Sequence, residues 1–487
     1  MFEFKGRLKT TSIILMLIGV VSVAISFLGG GGHHEGEHHG DHHATEAHAG
    51  DHAEGHAEAD HHGGDANLHA SAEKPGDVDI YAEEEAYHDY HKGASRAIPE
   101  ANHFYQTKEM PVEEELLHHQ EQNLPWSNLM VNTFFFLAIA LGALFFLAVQ
   151  YAAQVGWSAV LLRIMEAISS FLWIPIVIMF VIILTGAFHI GGNHIWHWMA
   201  EGIADPASDN YDEIIAGKTG YLNNGFFIIR ALVYALGWLG AGWLIRRMAL
   251  KMDSGSVDPN KQWRKLRNLS AGFLVFFAVT SSTSAWDWIM SIDTHWFSTL
   301  FGWYTFATMF VSALTAITLI TVYLKKKGYL EEVNMSHIHD MGKFMFAFSI
   351  FWTYLWFSQF MLIWYSNIPE EVTYYMARFG EYKGLFFTMV ALNFLFPILV
   401  LMSRDAKRNF GFLLVTGLII IFGHWLDVFI MIMPGTVGSL WNLGLVQIGT
   451  LLGFAGLFMF VVFTALSKKP LMIRKHPMFV ESTYHHI

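Results

Sequence analysis

The chain has 487 residues, 53% hydrophobic and 15% charged. A soluble domain carries about 25% charged residues, so the composition excludes an ordinary soluble fold and points to the membrane. No cysteine is present, which excludes disulfides, Cys-bound iron–sulfur clusters, structural Cys–zinc sites and c-type haem attachment on this chain. The net charge of −12 conceals a division, because residues 30–127 hold 22 acids against 4 bases and the remainder 20 acids against 26 bases. An acidic block is attached to a mildly basic body.

The first apolar run, 10–29, follows Lys5, Arg7 and Lys9. A basic start and an apolar stretch from Ile13 to Leu28 also suit a signal peptide. No small-x-small cleavage site precedes Gly29–Gly32, so the run reads as a retained anchor. The acidic block follows. Its stretch "GGGGHHEGEHHGDHHATEAHAGDHAEGHAEADHH" holds 11 of the 27 histidines. It lacks the apolar content that would offset chain ordering. Two readings stand: weak Zn²⁺, Cu²⁺ or Ni²⁺ binding at His33, His34, His38, His39, His42 and His43, or a solvated acidic tether. Further on, "EEELLHHQEQNLPW" has the pattern of an amphipathic surface helix leading into the next span.

Nine more runs reach the ~20 apolar residues that cross a bilayer: 128–151, 166–188, 224–246, 267–291, 297–324, 342–365, 382–403, 409–433 and 441–466. Ten spans place every basic loop on one side. These include Arg163, the run from Arg246 to Arg267, Lys325–Lys327, Arg404–Arg408 and the tail after 466. The positive-inside rule then makes both termini cytoplasmic and the His-rich block external. Same-direction spans also look alike. "GFFIIRALVYALGW" and "LFFTMVALNFLFP" share FF-x-x-x-A-L, and "AWDWIM" and "GHWLDVFIM" each place a Trp–Asp cluster toward the outer end. The expected fold is therefore an all-α integral membrane protein. It has two four-helix bundles, spans 2–5 and 6–9, with spans 1 and 10 at the periphery.

An ionisable group at the centre of a span costs about 2.5–3.5 kcal/mol and needs a partner or a task. Arg230, Asp287, His424, Asp427 and His189 all fall in the outer half of their spans, and Glu166 with Arg163 marks the inner mouth of span 3. Arg230 and Asp287 suit a polar pocket, a proton relay or a static pair locking two helices. His424 and Asp427, at i and i+3, suit a proton shuttle or a brace. Asp293 and His295 read as a solvated outer turn. "HIGGNHIWHW" brings His189, His194 and His197 into metal-like spacing, but its tryptophans equally suit an interfacial anchor. Only His424 lies deep in a span, so no haem is expected on this chain, and no nucleotide fingerprint is present.

The stretch "SAWDWIMSIDTHWFSTLFGWYTFATMFVSALTAITLI", residues 284–320, resembles the membrane subunits of alternative complex III, the bacterial quinol:cytochrome c oxidoreductase. These belong to the polysulfide-reductase (NrfD-like) family. The resemblance spans roughly residues 125–466, is most specific at "WDWIMSIDTHWFSTLFG", and leans toward the second, F-type subunit. It implies a bacterial inner membrane and no redox metal on this chain. It also implies quinone or menaquinone as substrate and haem c and iron–sulfur clusters in partner subunits. Those partners are multihaem and monohaem cytochromes, an iron–sulfur subunit and a paralogous quinol-oxidising membrane subunit, with a terminal oxidase as further acceptor. Trp286, Asp287 and Asp293 match the motif. The candidate proton path or quinone pocket is thus Arg230, Asp287, His424, Asp427, Asp293, His189 and Glu166. The alternatives are a proton-coupled transporter and a purely structural scaffold.

Overall fold

The computed structural model describes residues 2–29, 112–208 and 210–486. The His-rich stretch with its metal reading, and the linker after it to residue 111, lie outside the described residues. Among the described residues, ten helices are long and apolar enough to cross a membrane. We number them α1 (Arg7–Leu28), α2 (Leu117–Ala152), α3 (Leu162–Ala187), α4 (Asn224–Ser254), α5 (Pro259–Ile292), α6 (Leu300–Lys326), α7 (Met335–Ser366), α8 (Lys383–Leu401), α9 (Phe410–Leu440) and α10 (Leu445–Ser467). No strand occurs among the described residues. The chain is an all-α, multi-pass membrane protein. Phe2 and His485 both meet the loop between α6 and α7, at Tyr329 and Asn334, and the side where they lie is called the termini face.

The duplication read from sequence is visible in the packing. α2 and α6 are the most buried helices and lie side by side at the centre. α3 and α5 pack on α2 and α4 joins them, and α7 and α9 pack on α6 and α8 joins them; α5 then touches α6 as α9 touches α2. Polar side chains hold the centre where lipid offers no hydrophobic drive between helices. The Trp425 indole donates to Asn132 Oδ1 at 3.0 Å, and Asn128 Nδ2 donates to Thr450 Oγ1 at 3.1 Å, tying α2 to α9 and α10. The amphipathic stretch before α2 is no separate surface helix. It continues straight into the span as one helix, Val112–Ala152, through Pro125.

α1 packs along α10 on a seam of small residues. A Cβ on Gly19 would lie 2.2 Å from the Gly453 Cα, while Gly449 faces Ser22 and Gly456 faces Leu15 and the Ser12 carbonyl. Only glycine permits such backbone approach, the small-xxx-small device of membrane helices.

Three prolines shape the spans. Pro397 has no N–H for the carbonyl four residues back, and its ring crowds that carbonyl. α8 responds by widening into a π-turn over Ala391–Leu395, where the Phe396 N–H reaches the Ala391 carbonyl. Pro175 follows the break in α3 at 170–172. Pro434 in α9 frees the Ile430 carbonyl, which accepts from Arg378 Nε at 3.1 Å.

The tail beyond α10 is packed against the termini face. Ser482 Oγ donates to the Trp157 carbonyl at 2.5 Å, His485 Nε2 pairs with Asp340 at 2.6 Å, and Asn334 Nδ2 donates to the His485 carbonyl at 2.6 Å. His476 is buried beside Tyr151 and Trp263. Burial pushes its imidazole down to about 4.

Candidate functional site

Each bundle buries one aspartate completely, and the two are held in different ways. In the first, Asn223 caps α4 and α5 ends on the Trp–Asp cluster. Arg230 grips Asp287 with both arms, Nε to Oδ2 at 2.8 Å and Nη2 to Oδ1 at 3.0 Å. Its remaining arm donates to the Tyr221 carbonyl at 2.9 Å. The guanidinium lies 3.8 Å from the Tyr221 ring centre and 4.3 Å from that of Phe226. The Tyr234 hydroxyl adds a bond to Asp287 at 2.7 Å. Trp238 and Trp288 wall the group, and Trp238 donates to Thr280 Oγ1 at 3.0 Å. A planar fork on a carboxylate in a dry setting fixes both charge and orientation.

The second aspartate has no such partner. Asp427 on α9 accepts from the Tyr304 hydroxyl, from Thr308 Oγ1 at 2.6 Å and from the Trp352 indole at 2.9 Å. Tyr304 and Thr308 sit one turn apart on α6, and Trp352 comes from α7. Among the described residues, no arginine or lysine reaches the carboxylate. The shared FF-x-x-x-A-L register sets Val390 where Arg230 stands in the first bundle. The nearby group that can carry a positive charge is His424, one turn earlier on α9, with Nδ1 3.7 Å from Oδ2. That is beyond hydrogen-bond length. His424 is fully buried, and neither ring nitrogen has a hydrogen bond. Its ring meets Trp352 edge-on at 5.4 Å.

The remaining predicted residues are spread out. Asp293 lies in the turn after α5 but is not simply solvated. It is half-buried against Gly435 and pairs with Arg378 Nη2 at 3.3 Å. Arg378, on the short surface helix Pro369–Phe379, also donates to the Met431 carbonyl at 3.1 Å and lies under Tyr374. Burial raises the Tyr374 hydroxyl to about 12, against the lowering effect of Arg378. His295 is exposed and pairs with Asp212 at 2.6 Å.

His189 follows α3 in a left-handed conformation, φ 51°. Its ring stacks on His194 at 5.5 Å, and His119 from α2 meets His194 at 4.7 Å. Burial first, then the neighbouring imidazoles, lower His194 to about 4. His197 feels both this group, through His119 and His194, and the His295–Asp212 pair. Among the described residues, no three His, Cys, Asp or Glu side chains are placed to hold a metal ion. Glu166 is far from both aspartates. It is buried near the termini face, bound to Arg163 Nη1 at 2.6 Å, and Arg163 also reaches Asp253 at 3.2 Å.

The structure thus joins Arg230 with Asp287 and His424 with Asp427. It separates these pairs from His189 and Glu166. The reading from sequence missed Tyr234, Tyr304, Thr308, Trp352 and Arg378. Tyr234 was within reach, since it stands at i+4 from Arg230 and shares its face. No protein-family model matches the chain, and no curated protein does.

Proposed function

We propose that the chain is a membrane subunit of a respiratory quinol:cytochrome c oxidoreductase of the alternative complex III type, seated in a bacterial inner membrane with both termini cytoplasmic. In this reading the partner subunits carry the haem c and the iron–sulfur clusters. This chain supports quinol oxidation and handles protons without a redox metal of its own. One observation carries the proton role: Asp427 is wholly buried, held by neutral donors alone, and stands beside an imidazole whose two nitrogens are unengaged. A carboxylate clamped by arginine keeps its charge, whereas one held only by hydroxyl and indole donors can take a proton without leaving a buried cation stranded. His424 is placed to give or receive that proton through a small ring movement or a bridging water. Asp287, locked by Arg230, serves in this reading as the brace of the first bundle. The scaffold alternative thus describes one half of the molecule.

The test is isolation of the chain from its native membranes in mild detergent, with a haem spectrum and a quinol:cytochrome c assay. The proposal expects c-type haem and activity to co-purify. A colourless, solitary and inactive chain would refute it and favour a proton-coupled transporter, to be measured as proton flux in liposomes.

A further inference from the structure

Residues 246–267, where α4 ends and α5 begins, hold seven bases and two acids. Both acids are engaged. Asp253 pairs with Arg163 at 3.2 Å, and Asp258 caps α5 by accepting from the Asn260 N–H. Two of the bases are engaged as well, Arg246 on the Glu166 carbonyl and Arg267 on Asn268. Arg247, Lys251, Lys261, Arg264 and Lys265 are exposed, and among the described residues none of them has an acidic partner. The group lies at the termini face, where Lys475 of the tail rests against Gly255.

These bases are ordered along the two helices. On α4, Leu236, Gly240, Trp243, Arg247 and Lys251 fall at helical spacing and form one stripe. On α5, Lys261, Lys265, Gly272 and Val275 form another. Both stripes run one position before the residues that join the helices. Gly237 packs on Phe276, and Gln262 Nε2 donates to the Met248 carbonyl at 3.2 Å. In two antiparallel helices that common offset turns both stripes to the same side. The same contacts set the register, with Leu236 level with Val275, Gly240 with Gly272, Arg247 with Lys265 and Lys251 with Lys261. From the membrane outward, this side therefore shows exposed apolar side chains, then glycine, then bases. A Cβ on Gly240 or Gly272 would meet no atom within 4 Å, so a shallow stretch of backbone is left bare. Trp243 is 58% exposed and marks the headgroup level, with the Arg247 guanidinium 4.9 Å from its ring centre.

We infer that this side of the α4–α5 hairpin binds an anionic phospholipid, its phosphate on Arg247 and Lys265 and an acyl chain along Gly240 and Gly272. A guanidinium meets phosphate oxygens as a planar fork and an ammonium as a point charge. The charge of these bases is not neutralised within the hairpin, which suits an anionic headgroup. A zwitterionic headgroup carries its own cation beside the phosphate and fits less well. The open glycines let a chain lie against backbone where a larger side chain would bar it. Free phosphate would satisfy the bases but gain nothing from the glycines, so the two-part arrangement favours the lipid. The site does not depend on which reaction the chain supports.

The experiment is native mass spectrometry of the full chain in detergent, titrated with phosphatidylglycerol or with phosphatidylcholine of identical acyl chains. Phosphatidylglycerol should bind at least about tenfold more tightly. Arg247→Gln and Lys265→Gln should each weaken it about fivefold, the worth of one base at an anionic surface. Lys327→Gln, at an exposed base in the turn between α6 and α7, should leave it unchanged. Gly240→Leu, which the open surface accommodates, should also weaken binding by filling the path of the chain. Circular dichroism and gel filtration certify that each variant folds. Millimolar inorganic phosphate should not displace the lipid. Equal binding of the two lipids would overturn the site. An equal loss in Lys327→Gln would replace it with diffuse surface charge. Displacement by phosphate, with Gly240→Leu without effect, would replace the lipid with a free anion.

Discussion

Arg230→Met isolates the energetics of the first bundle. The substitution keeps an apolar stem of similar length but removes two charge-assisted bonds to Asp287, at 2.8 and 3.0 Å, and the bond to the Tyr221 carbonyl. Breaking one side of a buried ion pair costs about 3–5 kcal/mol, mostly from the charge left behind. The structure sets a ceiling. Asp287 retains the Tyr234 hydroxyl, with Tyr221 also acting on it, and a stranded carboxyl can escape by taking a proton. Holding an ordinary carboxyl protonated at pH 7 costs about 4 kcal/mol. The expected loss is therefore about 3–4 kcal/mol at pH 7. In the variant the native state then binds the proton and the unfolded state does not. Its deficit should accordingly shrink by about 1.4 kcal/mol per pH unit as pH falls from 7 toward 4. Asp287→Leu combined with Arg230→Met removes both charges and should recover most of the loss. Reversible unfolding in mixed detergent micelles, as a double-mutant cycle at two pH values, measures all of this. A single-variant loss under 1 kcal/mol, or one independent of pH, would refute the reading of a locked pair.

Other consequences are open to measurement. Gly453→Leu should separate α1 from α10. Amide hydrogen exchange along α1 should be slow in the parent and faster in the variant. Arg378→Met should cost about 1–3 kcal/mol by leaving the Ile430 carbonyl unsatisfied. Adding Pro434→Ala returns an N–H to that carbonyl and should recover part of the loss in the same unfolding assay. The buried imidazole of His476, lowered to about 4, binds its proton less readily than in the unfolded chain. Its contribution is complete above about pH 6.5 and is lost as pH falls toward 4, to a maximum of about 3 kcal/mol. Hydrogen exchange should show residues 471–485 loosening between pH 7 and 5, and His476→Phe should flatten that dependence.

Much of the architecture was legible because membrane insertion imposes a one-dimensional code of long apolar runs and basic loops. The ten runs, the FF-x-x-x-A-L echo and the paired Trp–Asp clusters carried the two bundles. Depth in a span singled out Arg230, Asp287, His424 and Asp427 by cost alone. The partners of those groups were less legible. Tyr304, Thr308 and Trp352 are unremarkable in an apolar helix until packing turns them toward Asp427. Arg378 resembled a loop cation, and its role follows only once Pro434 is known to free a carbonyl above it. The π-turn of α8 was hidden for a similar reason, since the effect of Pro397 on the turn before it is a matter of backbone geometry. Asp293 was misjudged because charge in a short turn suggests water, whereas here Arg378 folds over it.

We propose that Asp427 handles protons while Asp287 braces the fold. Turnover and proton release of the purified, haem-bearing complex carrying Asp427→Asn measure this directly. Normal assembly and haem content are expected, with quinol oxidation and coupled proton release reduced at least about tenfold, the effect of losing one acid–base group. Unchanged turnover and unchanged proton release in an intact Asp427→Asn complex would contradict it.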